Sequence, residues 1–66
     1  MKHNYTVDEV KEKLPNVRVN VSGKITVGRV MGRKNRYATV HTSKGSFEYS
    51  WIAVTRAVNG DYALKA

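Results

Sequence analysis

The segment Gly23–Asn35 constrains the fold of this chain most, because it combines strand-forming residues, a glycine within the run and a high positive charge. Ile25 and Val27 share one face of an extended strand, whereas Val30 falls on the other. Glycine tolerates the bulge or sharp bend that would restore a common face, so we expect one at Gly28. The sequence therefore predicts a bent strand that leads into a hairpin.

Alternation of apolar and polar residues predicts further short strands on both sides of that segment. Valines alternate with polar residues in 17–21, and the same period marks residues 37–42 and 46–50. We expect Phe47 and Tyr49 to face the core. These strands are short and closely spaced, as in a small barrel.

The C-terminal third departs from this pattern. Alternation stops in Trp51–Val54, which predicts a single helical turn with the indole in the core. Residues 55–58 then read as extended structure, Asn59–Gly60 is a hairpin signal, and 62–64 reads as a short returning strand.

A short helix is predicted near the N-terminus. Thr6 and Glu9 have the spacing of a capping box, and Pro15 ends the helix after about two turns. The apolar residues of the segment share one helical face: Val7, Val10 and Leu14. So short a helix needs a surface to lie on, and we interpret it as a lid over the open end of a barrel rather than a DNA-reading helix.

Length and composition bound the architecture. Sixty-six residues form one domain, in which we place a helix at about 7–14 and a barrel at about 16–64. Strand twist and exposed edges favour closure, so the predicted fold class is mainly β, a small five-stranded SH3-like or Sm-like barrel with a short N-terminal α-helix.

A small cysteine-free chain gains stability from self-association, so a homo-oligomer is one expectation. We see no signal peptide and no apolar run long enough for a membrane span, and we expect a cytoplasmic protein.

Charge is the strongest functional signal. Twelve Lys and Arg stand against five Asp and Glu, and residues 18–44 hold seven basic residues and no acid. Such a surface attracts polyanions, of which nucleic acid is the commonest, although solubility alone is the alternative explanation. Basic residues would contact phosphates, and the exposed ring side chains would stack on bases or sugars. The predicted nucleic-acid-binding set is Lys24, Arg29, Arg33, Lys34, Arg36, Tyr37, His41 and Lys44.

Other chemistry finds little support in the residues. His3 and His41 are the only histidines and there is no cysteine, so we predict no metal site. The glycine spacing of Gly23 and Gly28 lacks the Lys-Ser/Thr pair of a phosphate loop and lies inside a strand. No nucleophile, base and acid can be grouped with any specificity, so we predict no catalytic residues and no cofactor.

Three stretches of the chain together resemble one known family. They are Ser22–Gly23 followed by Gly28, Val30 and Gly32; Tyr37–Ala38 followed by Val40 and Gly45–Ser46; and the apolar rhythm of 46–59 with Ala53 and Asn59. In these stretches the chain is similar to the plasmid-borne type II dihydrofolate reductases, SH3-like barrels that assemble as tetramers around a central pore. That family binds its ligands through a Val-Gln-Ile-Tyr run, where this chain has Phe47-Glu48-Tyr49-Ser50. The resemblance implies the fold, and it leaves an NADPH-dependent reductase as an alternative function.

A second resemblance covers the whole chain in outline. A short N-terminal helix, five strands, and a Gly23-Lys24 turn with Gly28 five residues on are similar to the Sm-like RNA-binding proteins. The Asp and Asn of the Sm motif are replaced here by residues 34–38. This resemblance implies the same barrel and an RNA partner.

Three functions follow as hypotheses. The first is a non-catalytic nucleic-acid-binding small barrel, with DNA and RNA both open as partners. The second is the reductase-like enzyme. The third is a protein-interaction module, such as a phage or plasmid product that binds a host protein.

Overall fold

The computed structural model describes residues 4–66. It contains five strands and two helices in this part of the chain. In chain order they are α1 (Val7–Lys13), β1 (Val17–Val21), β2 (Lys24–Met31), β3 (Ala38–Thr42), β4 (Gly45–Tyr49), α2 (Trp51–Val58) and β5 (Leu64–Lys65).

The five strands form one curled sheet in the order β4-β3-β2-β1-β5. Strands β1 to β4 pair with their sequence neighbours in antiparallel fashion, and β5 pairs in parallel with β1 at the far edge. The predicted fold class is confirmed: the protein is mainly β, with five strands and a short N-terminal helix. The sheet curls into an open half-barrel with β4 and β5 at its edges.

The core-facing side of strand β2 is not the side that carries most of its apolar residues. Its pairing with β1 continues in register from Lys24 to Gly28, and the rest of the strand pairs with β3. Gly28 and Val30 face the core, whereas Ile25 and Val27 are exposed on the outer face. The prediction that a bulge or bend at Gly28 brings Ile25 and Val27 to the face of Val30 is therefore wrong. A Cβ at Gly28 would overlap the Cγ1 of Val40, so close packing requires the glycine.

The core lies between the concave face of the sheet and the two helices. Trp51 is 5% exposed, which confirms its predicted burial. Tyr49 packs against the core from β4, and Phe47 is half-buried. The other members of the buried cluster are aliphatic: Val10, Val17, Val19, Val30, Ala38, Val40, Val54 and Leu64.

Helix α2 corrects the C-terminal prediction. The hydroxyl of Ser50 accepts a hydrogen bond from the Ala53 amide, and Thr55 Oγ1 donates to the Trp51 carbonyl one turn back. Residues 55–58 are therefore helical rather than extended, and Asn59–Gly60 ends the helix instead of turning a hairpin. The helix carries the chain from one edge of the sheet to the other, where β5 pairs with β1.

Helix α1 begins as its sequence predicts. Thr6 and Glu9 form a complete capping box, with the amide of each residue donating to the side chain of the other at 3.1 and 3.2 Å. Val10 is fully buried in the core. The amide group of Asn59 fastens the chain just before this helix, because it accepts from the Tyr5 amide at 2.8 Å and donates to the Tyr5 carbonyl at 3.0 Å.

One side chain joins the two edges of the sheet. The Tyr49 hydroxyl on β4 donates a 2.9 Å hydrogen bond to the Lys65 carbonyl on β5. Burial, followed by the nearby Tyr62, raises the pKa of Tyr49 above its ordinary value of 10.0. Ionisation of Tyr49 therefore favours the unfolded chain.

This shift predicts a loss of stability in alkaline solution. The contribution of Tyr49 is fully present below the unfolded pKa of 10.0, and it is lost as the pH rises from there through the folded pKa. We expect the free energy of unfolding, measured with urea, to fall more steeply above pH 10.0 in the native protein than in Tyr49→Phe. The variant loses the bond to Lys65 at every pH, so it starts less stable. Equal slopes in the two proteins would contradict the assignment.

Candidate nucleic-acid interface

The loop between β2 and β3, residues 32–37, carries the densest positive charge of the described chain. Gly32 opens it at φ +86°, a conformation that favours glycine, and its carbonyl accepts from the Asn35 amide at 2.8 Å. Arg33, Lys34 and Arg36 are all exposed. The loop is thus a tight turn that holds three cations in solvent.

Two anchors dock this loop onto the helices. The Nε and Nη2 of Arg33 donate to the carbonyls of Lys11 and Glu12 at 2.9 and 3.0 Å. These carbonyls lie at the end of α1, where the helix itself offers no donors. On the other side of the loop, Trp51 Nε1 donates to the Asn35 carbonyl at 3.0 Å. Arg33 therefore helps to hold the fold while it adds charge to the loop.

A groove of about 650 Å³ runs between the end of α1 and the docked loop. Its walls are Lys13 and Leu14 on one side and residues 29–35 on the other. We call this feature the basic groove, because its lining contains no acid and four cations: Lys13, Arg29, Arg33 and Lys34.

A second cavity of about 460 Å³ lies between β1, β5 and the end of α2. Its lining has Arg18 as its cation, together with apolar and amide side chains such as Val58 and Asn20. A single cation is a weak feature for a polyanion, so the basic groove is the better candidate site.

The structure groups six of the eight residues that the sequence singles out. Arg29, Arg33 and Lys34 line the basic groove. Arg36 and Tyr37 follow on the same loop, where Tyr37 is 52% exposed. His41 lies directly across from Arg29 on β3, and its Nδ1 hydrogen-bonds the Ser46 hydroxyl.

The other two residues lie at the opposite end of the sheet. Lys24 begins β2, five residues before Arg29, which separates them by about 17 Å along the strand. Lys44 lies in the turn between β3 and β4, also away from the docked loop. A single ligand segment in the basic groove would not reach them without extending across the sheet.

The sequence prediction misses Lys13. It lies in the last turn of α1, and its ammonium sits 5.2 Å from the centre of the Tyr5 ring. A basic residue in a final helical turn is an ordinary favourable charge–dipole arrangement, so its sequence position alone does not indicate a binding role. Only the packing of the loop against α1 places it in the groove.

Residues 4–66 contain no group of three or more His, Cys, Asp or Glu side chains that could hold a metal ion. Within the same residues, no helix has the length and apolar character needed to cross a bilayer. His3, one of the two histidines considered above, lies outside the described residues.

Comparison of the chain with protein-family models, with curated proteins and with solved structures finds no match. The fold and the site define a half-barrel with a docked, positively charged loop and groove. The residues of that groove are therefore the features of the molecule that bear most directly on its function.

Proposed function

We propose that the protein is a non-catalytic nucleic-acid-binding module that holds a single strand in the basic groove. The observation that carries the proposal is the convergence of Lys13, Arg29, Arg33 and Lys34 on one groove that no acid lines. Cations from a helix, a strand and a loop meet there, although they are up to 21 positions apart in the chain.

The electrostatics of the groove suit a phosphate backbone. Each phosphate that a Lys or Arg neutralises releases condensed counterions, which supplies most of the sequence-independent affinity. Planar guanidinium groups such as that of Arg29 also match phosphate oxygens in pairs. The arrangement would contact the backbone at several successive phosphates.

The docked loop supports affinity in a second way. Because Arg33 and Asn35 are already hydrogen-bonded to the helices, the loop loses little conformational freedom on binding. Tyr37 is exposed at the end of the same loop and can stack on an unpaired base. Bases are free to stack in single strands, which is why we favour them over duplex.

Salt dependence tests this proposal directly. We expect a fluorescent single strand of about 15 nucleotides to bind with a log–log salt slope near −3, since four phosphate contacts contribute about −0.7 each. Raising the salt from about 50 to about 200 mM would then weaken binding roughly 50-fold. Fluorescence anisotropy measures both. Absence of binding at low salt contradicts the proposal.

A matched pair of variants locates the site. The groove variant Arg29→Gln/Lys34→Gln and the control Lys24→Gln/Lys44→Gln remove the same charge from opposite ends of the sheet. We expect the groove variant to lower the slope by about 1.4, whereas the control leaves it nearly unchanged. If both variants weaken binding equally, only net charge matters and the groove is not the site.

A further inference from the structure

The outer face of β2 exposes an apolar row in the middle of the sheet. Ile25 is 62% exposed, Val27 64% and Met31 44%. All three alternate with residues of the concave side, so none can turn into the core without breaking the register with β1 and β3. We call Ile25, Val27 and Met31 the apolar stripe.

Positive charge surrounds the stripe. Arg18 on β1 pairs with Val27, and Arg29 lies on β2 between Val27 and Met31. On the β5 side, Lys65 pairs with Asn20, which itself faces Ile25. Glu48 is the one acid that the described strands place on this face, next to Thr39 on the β4 side.

This combination selects among the partners that could cover the stripe. Nucleic acid would contact the cations, but the stripe has no aromatic ring for a base to stack on. In a symmetric dimer through the same face, Arg18 and Arg29 of both copies would enter one interface, where like charges oppose association. An acidic protein surface with apolar side chains satisfies both the stripe and its cationic border.

We infer that the apolar stripe docks an acidic amphipathic segment of another protein. From Ile25 to Met31 the stripe is about 20 Å long, since a strand rises about 3.3 Å per residue. A helix of about 13 residues has the same length. Such a helix would place its apolar face on the stripe and its carboxylates near Arg18, Arg29 and Lys65.

A designed peptide tests the inference. The probe is a helical peptide of about 14 residues, with leucines along one face and glutamates elsewhere. The control peptide keeps the leucines and replaces every glutamate by lysine. We expect the acidic peptide, and not the basic one, to shift the NMR methyl signals of Ile25 and Val27 in the full chain.

A stripe variant supplies the matched measurement. Ile25→Thr/Val27→Thr keeps β-branched side chains and removes apolar surface at two exposed positions, so folding should survive and a melting curve checks it. Neither residue lines the basic groove. We expect the variant to bind the acidic peptide at least about tenfold more weakly and to bind the single strand as the native protein does.

Several results would overturn the inference. Unmoved methyl signals at millimolar acidic peptide, equal binding of the two peptides, or unchanged peptide affinity in the stripe variant would each do so. Oligonucleotide-induced shifts of the Ile25 methyl signals, which lie about 13 Å along the strand from Arg29 of the groove, would make nucleic acid the occupant. Native self-association in sedimentation that the variant abolishes would make the occupant a second copy. Arg29 belongs to both surfaces, so the separating variant is Lys34→Gln, which lines the basic groove but does not border the stripe. We expect it to weaken oligonucleotide binding and to leave peptide binding unchanged, so the two proposals fail separately.

Discussion

Replacement of Trp51 by alanine should leave much of the protein unfolded in water at room temperature. The side chain is 5% exposed within the core, and removal of a buried aromatic costs about 3–5 kcal/mol. A 66-residue domain has a total stability of only about 3–10 kcal/mol. Circular dichroism and urea unfolding would show the loss.

Trp51→Phe separates the packing of this residue from its hydrogen bond. Phenylalanine keeps an aromatic ring in the core but cannot donate to the Asn35 carbonyl, which should cost about 1 kcal/mol. The loop amides at 32–37 should then exchange faster with solvent, and single-strand affinity should fall. A Trp51→Phe protein with native loop protection would show that the indole bond does not dock the loop.

The second large effect is expected at Gly28. Its position on the concave face leaves no room for a Cβ, which would overlap Val40 Cγ1 and crowd methyl groups of Thr42 and Val19. Gly28→Ala should therefore destabilise the protein by about 1–3 kcal/mol. The midpoint of urea unfolding measures this change, and an unchanged midpoint would contradict the packing described above.

A compensating change provides the control for Gly28. Val40→Ala alone creates a cavity at a fully buried position and should also destabilise. In the double variant the new methyl at residue 28 enters the space that Val40 vacates. We expect the loss of unfolding free energy in the double variant to be smaller than the sum of the losses in the two single variants. Strict additivity would mean that the overlap is relieved by backbone movement instead.

Much of the fold is predictable because its signals are local. Alternation in 17–21 and around Ala38 and Val40 predicts which residues face the core, and the structure confirms that prediction. The capping box of Thr6 and Glu9 depends on a spacing of three residues. Neither prediction needs knowledge of distant parts of the chain.

The errors arise where tertiary packing outweighs local chemistry. Ile25 and Val27 are apolar and look like core residues. However, Val40 leaves no room for a side chain at the inward-facing position 28, so Gly28 faces the core and Ile25 and Val27 face solvent. The sequence predicts a single helical turn at Trp51–Val54 and extended structure over 55–58, whereas α2 runs from Trp51 to Val58. The helical signal was nevertheless present at i, i+3, i+4 and i+7: Trp51, Val54, Thr55 and Val58.

The candidate site is predictable in composition but not in extent. An acid-free basic region points to Arg29, Arg33 and Lys34 from sequence alone. The inclusion of Lys13 and the separation of Lys24 depend on where α1 packs and how long β2 runs. These are relations between elements, which no short-range pattern contains.

Few backbone hydrogen bonds attach the C-terminal strand β5 to the sheet. This strand pairs with β1 at two positions, and the Ala66 amide and the Tyr49 hydroxyl add two more bonds. The buried Leu64 side chain, 1% exposed, therefore contributes much of what holds this edge in place. None of the bonds that dock the loop at 32–37 involves β5. A substitution that weakens this edge would therefore leave the hydrogen bonds that hold the cationic loop intact.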